Sequence, residues 1–273
     1  MKKQFLINAI SCVVFANVLF SCTKKDKDSV TPDLQNNCRL LSEKEHESGD
    51  SAIYIYNQEG KLIRIQRYNN HSDSSAYETF FYETGKIIHL YYNNDKTLNT
   101  KEEFFINANG TVSKQVRTAN DPNVTIDDTL FYTYDGNGYN TLVVDKSYHG
   151  GAFPSATIDS TWKTYTNGDN TYSVSKFYNS GNIKPEEYIY KITYSSEENT
   201  GSFFYDETFG PDFYGKGNKH LPATSTDKDE TFLETFAFNI TSGLITRVQI
   251  NFTDKDHPQS NSSLDYTYTY DCK

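Results

Sequence analysis

The chain has little of what helices are made from. Among its 273 residues Met occurs once, Leu and Ala are scarce, and hydrophobic residues as a whole reach only 36%. Aromatic residues nevertheless make up 15%, with 22 Tyr and 18 Phe. Tyr and Phe favour strands, whereas Leu, Ala and Met favour helices. The composition therefore argues against a helical fold and favours one large all-β domain.

A cluster of basic residues is also missing after Lys27. The formal net charge is −10, and it becomes −12 once residues 1–21, with two Lys and no acidic residue, are removed. Nucleic-acid binding depends on cations that neutralise backbone phosphates. Nucleic acid is therefore excluded as a partner.

Catalytic and metal-binding motifs are absent as well. Six His residues are scattered without HExxH spacing, and no G-x-S-x-G elbow, Walker loop or dinucleotide fingerprint occurs. The acidic run from Asp227 to Glu230 offers a carboxylate pair for a hydrolase, with Asp227 and Asp229 as candidates. Because no motif singles out any pair, we expect that the chain is not an enzyme. No cofactor and no metal site are predicted.

The first residues have the features of an export signal. Lys2 and Lys3 precede an apolar stretch, Phe5 to Phe20, that is too short to span a bilayer comfortably. The stretch closes with LFSC, ending at Cys22, and this resembles the lipobox of bacterial lipoproteins. The resemblance implies a signal peptide over residues 1–21 and a lipid on Cys22. Ordinary secretory cleavage at another position is the alternative.

Residues 22–37 contain Lys, Asp, Ser, Thr and Pro with almost no apolar residue, which predicts a flexible tether. Acyl chains on one Cys bury enough CH₂ groups for stable attachment to a membrane, at about 0.8 kcal/mol each. We therefore expect a lipid-anchored protein of the cell envelope, at the outer membrane, with residues 38–273 as a single β-hairpin-repeat domain. The side of the membrane that the domain faces stays open.

Two cysteines remain after the signal peptide and the lipidated Cys22. Cys38 opens the patterned region, and Cys272 is the penultimate residue. Two thiols left over in an envelope compartment predict a disulfide, with two free thiols as the alternative. A disulfide between them makes the first and last strands neighbours, which suggests a closed sheet.

A repeated unit runs through the domain. The stretch YIYNQEGKLIRIQRYNN, residues 54–70, returns as FFYETGKIIHLYY and as FFINANGTVSKQVR. Gly60, Gly85 and Gly110 are 25 residues apart, and Gly138 follows after 28. Each unit predicts a β-hairpin, because Asn or Asp followed by Gly favours a tight turn. The prediction is an antiparallel meander of about sixteen strands, curled into a barrel or a strongly twisted sheet.

A membrane-spanning barrel is not favoured by the strand residues. Such a barrel needs a continuous apolar band on its outer face. Charged or ionisable residues interrupt the strands throughout, and five of them argue against that band: Lys86, His89, Lys114, Lys146 and Lys176. A barrel outside the bilayer is therefore expected.

The aromatic-x-Tyr-Asp-x-x-Gly rhythm resembles the YD repeats of Rhs-type proteins. The mature chain as a whole resembles a family of Bacteroidetes lipoproteins described as porin-like in fold. Residues 217–222, GNKHLP, are similar to a Lys-Asn-Leu-Pro stretch of that family, with His220 in place of the Asn. The resemblance implies a porin-like architecture and an envelope location. It implies no catalytic residues.

The rhythm breaks between Tyr205 and Glu230, where Gly and Pro residues prevent regular pairing. Long loops on β scaffolds often bind ligands, so this segment is the first candidate for a ligand site. The alternative is a plug or crossover that packs its apolar residues, Leu221 among them, against the sheet. The candidate ligand residues are Phe209, Phe213, Tyr214, His220 and Trp162.

Three functional hypotheses follow. The first is a non-catalytic lipoprotein whose β domain binds an envelope protein or gives structural support. The second is a surface glycan-binding lipoprotein that stacks exposed Tyr, Phe and Trp162 on sugar rings; three or more coplanar exposed aromatics in a groove would favour it. The third is a hydrolase that uses Asp227 or Asp229. The first is the main prediction, with the membrane contacted through the lipid anchor.

Overall fold

The computed structural model describes residues 38–70, 76–119, 126–149, 155–178, 186–199 and 213–272. The predicted signal peptide, Cys22, the tether and Phe209 lie outside the described residues. The described residues form sixteen β-strands and one short 3₁₀ turn at Pro258–Ser260. The strands are β1 Cys38–Glu45, β2 Ser51–Tyr56, β3 Leu62–Tyr68, β4 Tyr77–Glu83, β5 Lys86–Tyr92, β6 Leu98–Ile106, β7 Val112–Ala119, β8 Ile126–Tyr134, β9 Asn140–His149, β10 Ser155–Thr166, β11 Asp169–Tyr178, β12 Glu186–Glu198, β13 His220–Asp227, β14 Phe232–Thr241, β15 Leu244–Asp254 and β16 Ser262–Cys272.

The strands form a closed barrel. Each strand pairs antiparallel with the next along the chain, and β16 pairs with β1. Cys38 and Cys272 lie opposite each other at this seam and form the predicted disulfide, with Cα atoms 4.0 Å apart. The prediction of an all-β meander of about sixteen strands is confirmed, and closure selects the barrel over an open twisted sheet.

The tight hairpin turns form as the sequence pattern indicates. In the β2–β3 turn, the Asn57 side chain accepts a hydrogen bond from the Lys61 backbone N–H at 2.9 Å, and Gly60 has a φ of +83°. In the β8–β9 turn, one oxygen of Asp135 accepts from the N–H groups of Asn137 and Tyr139, both at 2.9 Å. Asn and Asp therefore bind the turn backbone, and Gly supplies the positive φ.

The barrel has two unlike ends. The tight turns lie at the end that also holds Cys38 and Cys272, which we call the tight-turn end. Several connections at the opposite end, including β3–β4 and β11–β12, are longer than these turns, and we call it the long-loop end. The longest connection, β12–β13, nevertheless lies at the tight-turn end.

Alternate residues of each strand face the inside of the barrel. In β2, Ala52 and Tyr54 are buried, whereas Ile53 and Ile55 are exposed on the outer wall. Buried apolar residues of the inner wall form three clusters, centred on Ile65, Val248 and Phe104. The apolar core therefore lies inside the barrel wall.

The outer wall is charged. Lys86 Nζ lies 3.1 Å from a Glu103 carboxylate oxygen, Lys176 Nζ lies 3.2 Å from one of Glu187, and Arg247 pairs with Asp265. Four of the five residues predicted to interrupt an apolar outer band share this wall: Lys86, Lys114, Lys146 and Lys176. The fifth, His89, lies directly opposite the buried Phe80 and faces inward, because its strand register places it on the other face.

Candidate functional site

A row of alternating acids and bases lines the inner wall, and we call it the charge ladder. Its centre is His89, whose Nε2 lies 2.8 Å from Glu78 Oε2 and whose Nδ1 lies 2.9 Å from Glu102 Oε2. Arg67 Nε donates to Glu78 Oε1 at 2.5 Å, and Arg117 Nε donates to Glu102 Oε1 at 2.7 Å. His89 therefore lies between two acids, and each of these acids also binds an Arg.

The ladder extends to the strands on either side. Arg67 Nη1 lies 3.5 Å from Glu43 Oε1 on β1, and Arg117 Nη1 lies 4.0 Å from Asp128 Oδ2 on β8. The register explains the row, because Glu102 lies opposite Arg117 and Arg117 lies opposite Asp128. The ladder thus covers the inner wall from β1 to β8.

Burial and hydrogen bonding shift the pKa values of the ladder in opposite directions. Burial lowers the pKa of His89, but the hydrogen bonds that it donates to Glu102 and Glu78 outweigh this effect and raise the pKa to about 8. Burial raises the pKa values of Glu78 and Glu102, but hydrogen bonds with His89 outweigh it and lower both. At neutral pH the ladder therefore holds a charged imidazolium between two carboxylates.

The lumen beside the ladder is open to water. The side chains of Arg67 and Arg117 project from the inner wall and are 41% and 47% exposed. A closed barrel of this size leaves an aqueous interior when side chains do not fill it. The inner wall beside the ladder is therefore partly exposed to solvent.

Two acids, Asp145 on β9 and Asp159 on β10, continue the inner wall beyond Asp128, the last member of the ladder. Asp145 lies opposite Asp159, and burial together with the charges of Asp128 and Asp159 raises the pKa of Asp145. Asp128 is buried, and its Oδ1 has no hydrogen-bond partner. Within the described ranges, no three His, Cys, Asp or Glu side chains form a group that could hold a metal ion.

Two exposed rings lie next to these acids. Phe177 on β11 is opposite Asp159, and its ring centroid is 5.3 Å from that of Tyr188 on β12 in an edge-to-face arrangement. Phe177 is 36% exposed and Tyr188 is 47% exposed, although the register places both on the inner wall. The Tyr188 hydroxyl donates to Glu186 at 3.1 Å. The wall thus combines carboxylates with accessible aromatic faces.

The described part of the predicted ligand segment divides into two. Residues 220–227 form strand β13 and pair with β12 and β14, so the expectation that Gly and Pro prevent regular pairing is wrong there. Residues 213–219 pack into the tight-turn end. These residues, which we call the plug, bind the turns of three hairpins: Val112 N–H donates to the Phe213 carbonyl at 2.8 Å, and Lys216 N–H to that of Gly138 at 2.9 Å. Lys219 N–H donates to the Gly168 carbonyl at 3.0 Å. The plug therefore corresponds to the alternative interpretation of the segment, a part of the chain that packs against the sheet.

Among the candidate ligand residues that the structure describes, Phe213 and Tyr214 contact each other, with ring centroids 4.9 Å apart, but His220 and Trp162 lie elsewhere. Phe213 is buried, with its ring 5.6 Å from that of Phe104, and Tyr214 packs against the same cluster. His220 binds Asp169 through its backbone N–H at 2.8 Å and its Nδ1 at 2.7 Å. Trp162 is exposed on the outer wall, with Lys176 Nζ 5.6 Å from its ring centroid.

The candidate hydrolase residue Asp227 has a turn role. Its Oδ2 accepts from the Thr231 hydroxyl at 2.5 Å, and its Oδ1 accepts from the Phe232 N–H at 3.0 Å. The hydrogen bond from Thr231 lowers the pKa of Asp227. These contacts hold the Asp227 carboxylate against the β13–β14 turn.

The charge ladder has a sequence signal that motif searches miss. One charged residue per strand recurs at positions 67, 78, 89, 102, 117 and 128, with separations of 11 to 15 residues and alternating sign. Detecting it requires the register between hairpins, because one residue of slip moves a side chain to the other wall.

A closed antiparallel barrel of sixteen strands has the strand number of a porin. Two solved structures are similar to this chain. One is a porin-like protein from Bacteroides uniformis ATCC 8492, with a TM-score of 0.59 and 14% identity, over 85% of this chain and 97% of that one. The other is a porin-like protein from Bacteroides vulgatus ATCC 8482, with a TM-score of 0.56 and 12% identity, over 86% and 99%.

These likenesses show the fold alone, since both identities are low. No family model matches the chain, and no curated protein matches it. In the part of the chain that the structure describes, no helix is long and apolar enough to cross a membrane.

Proposed function

We propose that the chain is a lipid-anchored, non-catalytic protein of the cell envelope whose barrel stands outside the bilayer and binds a partner in its lumen. The observation that supports this most is the distribution of charge. The outer wall carries ion pairs, and the inner wall carries a water-accessible charge ladder. A barrel with polar groups on both faces is suited to water on both sides.

The outer wall argues against immersion in lipid. An Arg or Lys on the lipid face of a barrel costs about 2–4 kcal/mol at the bilayer midplane. The outer wall carries Lys86, Lys101 and Glu103 in one connected group, with Lys101 Nζ 3.2 Å from Glu103. Burying such groups in hydrocarbon would oppose insertion of the folded barrel.

The lipid on Cys22 supplies the membrane attachment in this proposal. Cys22 precedes Cys38 by 16 residues, a length that spans at most about 55 Å when extended. Because Cys38 lies at the tight-turn end, the lipid attaches through that end. Because residues 213–219 pack against the turns of the tight-turn end, a partner would enter through the long-loop end.

Glycan binding is the second candidate, and one cavity favours it. A cavity of about 400 Å³ lies at the long-loop end beside Arg67 and is lined by Asn69, Tyr91, Asn93 and Asp95 among others. Amide, carboxylate and aromatic groups together suit sugar hydroxyls and ring faces. Phe177 and Tyr188, by contrast, are nearly perpendicular, with 82° between their planes, and do not form a coplanar platform.

Fractionation of the producing cell tests the main proposal. The wild-type chain is compared with a chain whose residues 1–22 are replaced by a signal peptide that leaves no lipid. We expect the wild type in the membrane fraction with incorporated palmitate, and the altered chain in the soluble periplasmic fraction as a folded barrel. Retention of the altered chain in the membrane after carbonate washing would overturn the proposal.

A further inference from the structure

We propose that the inner wall near the long-loop end binds an organic cation, an ammonium or quaternary ammonium group, between the carboxylates of Asp145 and Asp159 and the rings of Phe177 and Tyr188. The inference rests on the proposed function in one respect, that the lumen admits a ligand. It adds the chemical class of that ligand and the residues that recognise it.

The site lies close to the long-loop mouth. Phe177 is the second-last residue of β11, and Tyr188 is the third residue of β12. Asp159 is the fifth residue of β10 and lies opposite both Asp145 and Phe177. The four side chains therefore come from adjacent strands of the inner wall. Asp145, Asp159 and Phe177 lie in one row, and Tyr188, opposite Ser175, lies one inward-facing position away from it.

Three acids lie close together in this region of the inner wall. Asp128, Asp145 and Asp159 follow one another on β8, β9 and β10, and Arg117 acts on the first two. The Ser147 hydroxyl donates to Asp145 at 2.9 Å, and the Tyr178 N–H donates to Asp159 at 3.3 Å. Arg117 is already bound to Glu102 at 2.7 Å and lies 4.0 Å from Asp128. The buried Asp128 Oδ1 has no partner, and a buried carboxylate oxygen without one is costly. A cation in the lumen would offset this negative charge.

The rings point to an organic cation. An exposed aromatic face attracts a cation within about 6 Å of its centroid. On the outer wall the chain supplies that cation itself, since Lys146 Nζ lies 5.3 Å from the Phe131 ring and Lys176 Nζ lies 5.6 Å from the Trp162 ring. Among the described residues, no Lys or Arg lies over Phe177 or Tyr188. The inner pair is therefore available to a cation from solution.

A large cation fits better than a metal ion. Metal ions need several oxygens converging at about 2–2.6 Å, and the described acids form no such group. A weakly hydrated ammonium can use carboxylates spread over a wall together with aromatic faces. The edge-to-face arrangement of Phe177 and Tyr188 likewise suits a rounded cation better than a flat sugar ring.

Calorimetric titration of the lipidated full chain in detergent tests the site, with spermidine and tetramethylammonium as probes and Ca²⁺ and glucose as comparisons. Asp159→Asn removes a carboxylate and Tyr188→Leu removes a ring. Glu59→Gln is the matched control, because Glu59 is exposed in the β2–β3 turn at the opposite end of the barrel. Its substitution removes one negative charge, as Asp159→Asn does. Circular dichroism checks that each variant is folded. The two site variants lie on different strands, so that if one misfolds, the other still tests the site.

We expect both organic cations to bind and each site variant to weaken binding at least about tenfold, with Glu59→Gln unchanged. The tetramethylammonium affinity should depend more on Tyr188, because this probe cannot donate hydrogen bonds. Absence of binding by both probes, wild-type affinity in the site variants, or displacement of the probes by equimolar Ca²⁺ would overturn the site. The fractionation above fails or succeeds independently, since it measures membrane attachment and not ligand affinity.

Discussion

His89 Nδ1 lies 2.9 Å from Glu102 Oε2 on the inner wall of the barrel, and the two residues are direct partners across β5 and β6. The imidazole also stacks on Phe80, with ring centroids 4.5 Å apart. The pair joins the two halves of the charge ladder, Arg67–Glu78 and Arg117–Asp128. The protonation state of one histidine therefore affects a row of charges that covers half of the inner wall.

Stability is expected to depend on pH through His89. Its folded pKa of about 8 exceeds the ordinary value of 6.5, so its contribution is complete below pH 6.5 and is lost as pH rises through 8. This loss corresponds to about 2 kcal/mol. The lowered pKa values of Glu78 and Glu102 add stability above pH 4.5 that is lost at more acidic pH. Urea unfolding should therefore show maximal stability between about pH 5 and 6.5.

His89→Gln should remove the decline in the free energy of unfolding between pH 6.5 and 9. His257→Gln is the matched control, because His257 is largely exposed in the β15–β16 connection. An equal decline in the wild type and in His89→Gln would show that another group controls this range.

The seam between β1 and β16 should depend on its disulfide. Cys38 and Cys272 are 234 residues apart, for which the chain-entropy model gives a stabilisation of about 5 kcal/mol. The double Cys38→Ser and Cys272→Ser variant should lose much of this stabilisation, as measured by its free energy of unfolding in urea. Hydrogen exchange should accelerate first in β1 and β16, and uniform acceleration in all strands would contradict the role assigned to the seam.

The plug should tolerate no side chain at Gly215. Gly215 has a φ of +96°, and a Cβ there would lie 2.8 Å from the Gly138 carbonyl oxygen. Gly215→Ala should therefore reduce the free energy of unfolding by roughly 1–3 kcal/mol. Gly217→Ala is the matched control, since a Cβ at Gly217 meets nothing within 4 Å. Equal stability of the two variants would mean that the plug does not pack as described.

A Trp162 variant tests whether the protein binds glycans on its outer wall or a partner in its lumen. Its ring is exposed and is contacted by Lys176. Affinity electrophoresis against host, plant and bacterial polysaccharides should show no retardation that depends on this ring, because the proposed binding surface lies inside the barrel. Saturable retardation that is lost in Trp162→Ala would instead support glycan binding on the outer wall.

The hairpins, their number and the disulfide follow from local and compositional signals. Asn57 and Gly60 specify a turn by themselves, and a pair of leftover cysteines predicts the seam. These features need no knowledge of distant contacts. The all-β fold could therefore be predicted from the sequence.

The inner wall could not be predicted in the same way. His89 was expected to interrupt an outer band, yet the register of β4 and β5 turns it inward beside Glu78 and Glu102. Phe213 was a ligand candidate, yet its ring completes the core beside Phe104. Both outcomes depend on pairing between strands and on packing of a segment far along the chain, which a single sequence does not encode locally.

Maleimide labelling in isolated outer membranes tests whether the outer wall of the barrel is exposed to water. Ile53→Cys and Ile158→Cys place a thiol at exposed positions on the outer wall of β2 and β10. If the barrel is held outside the bilayer, a membrane-impermeant maleimide should modify both thiols as fast in opened membranes as in detergent solution. Slow labelling of the thiols in membranes that becomes fast in detergent would show that lipid covers the outer wall. This result would contradict a tethered barrel with a ligand-binding lumen.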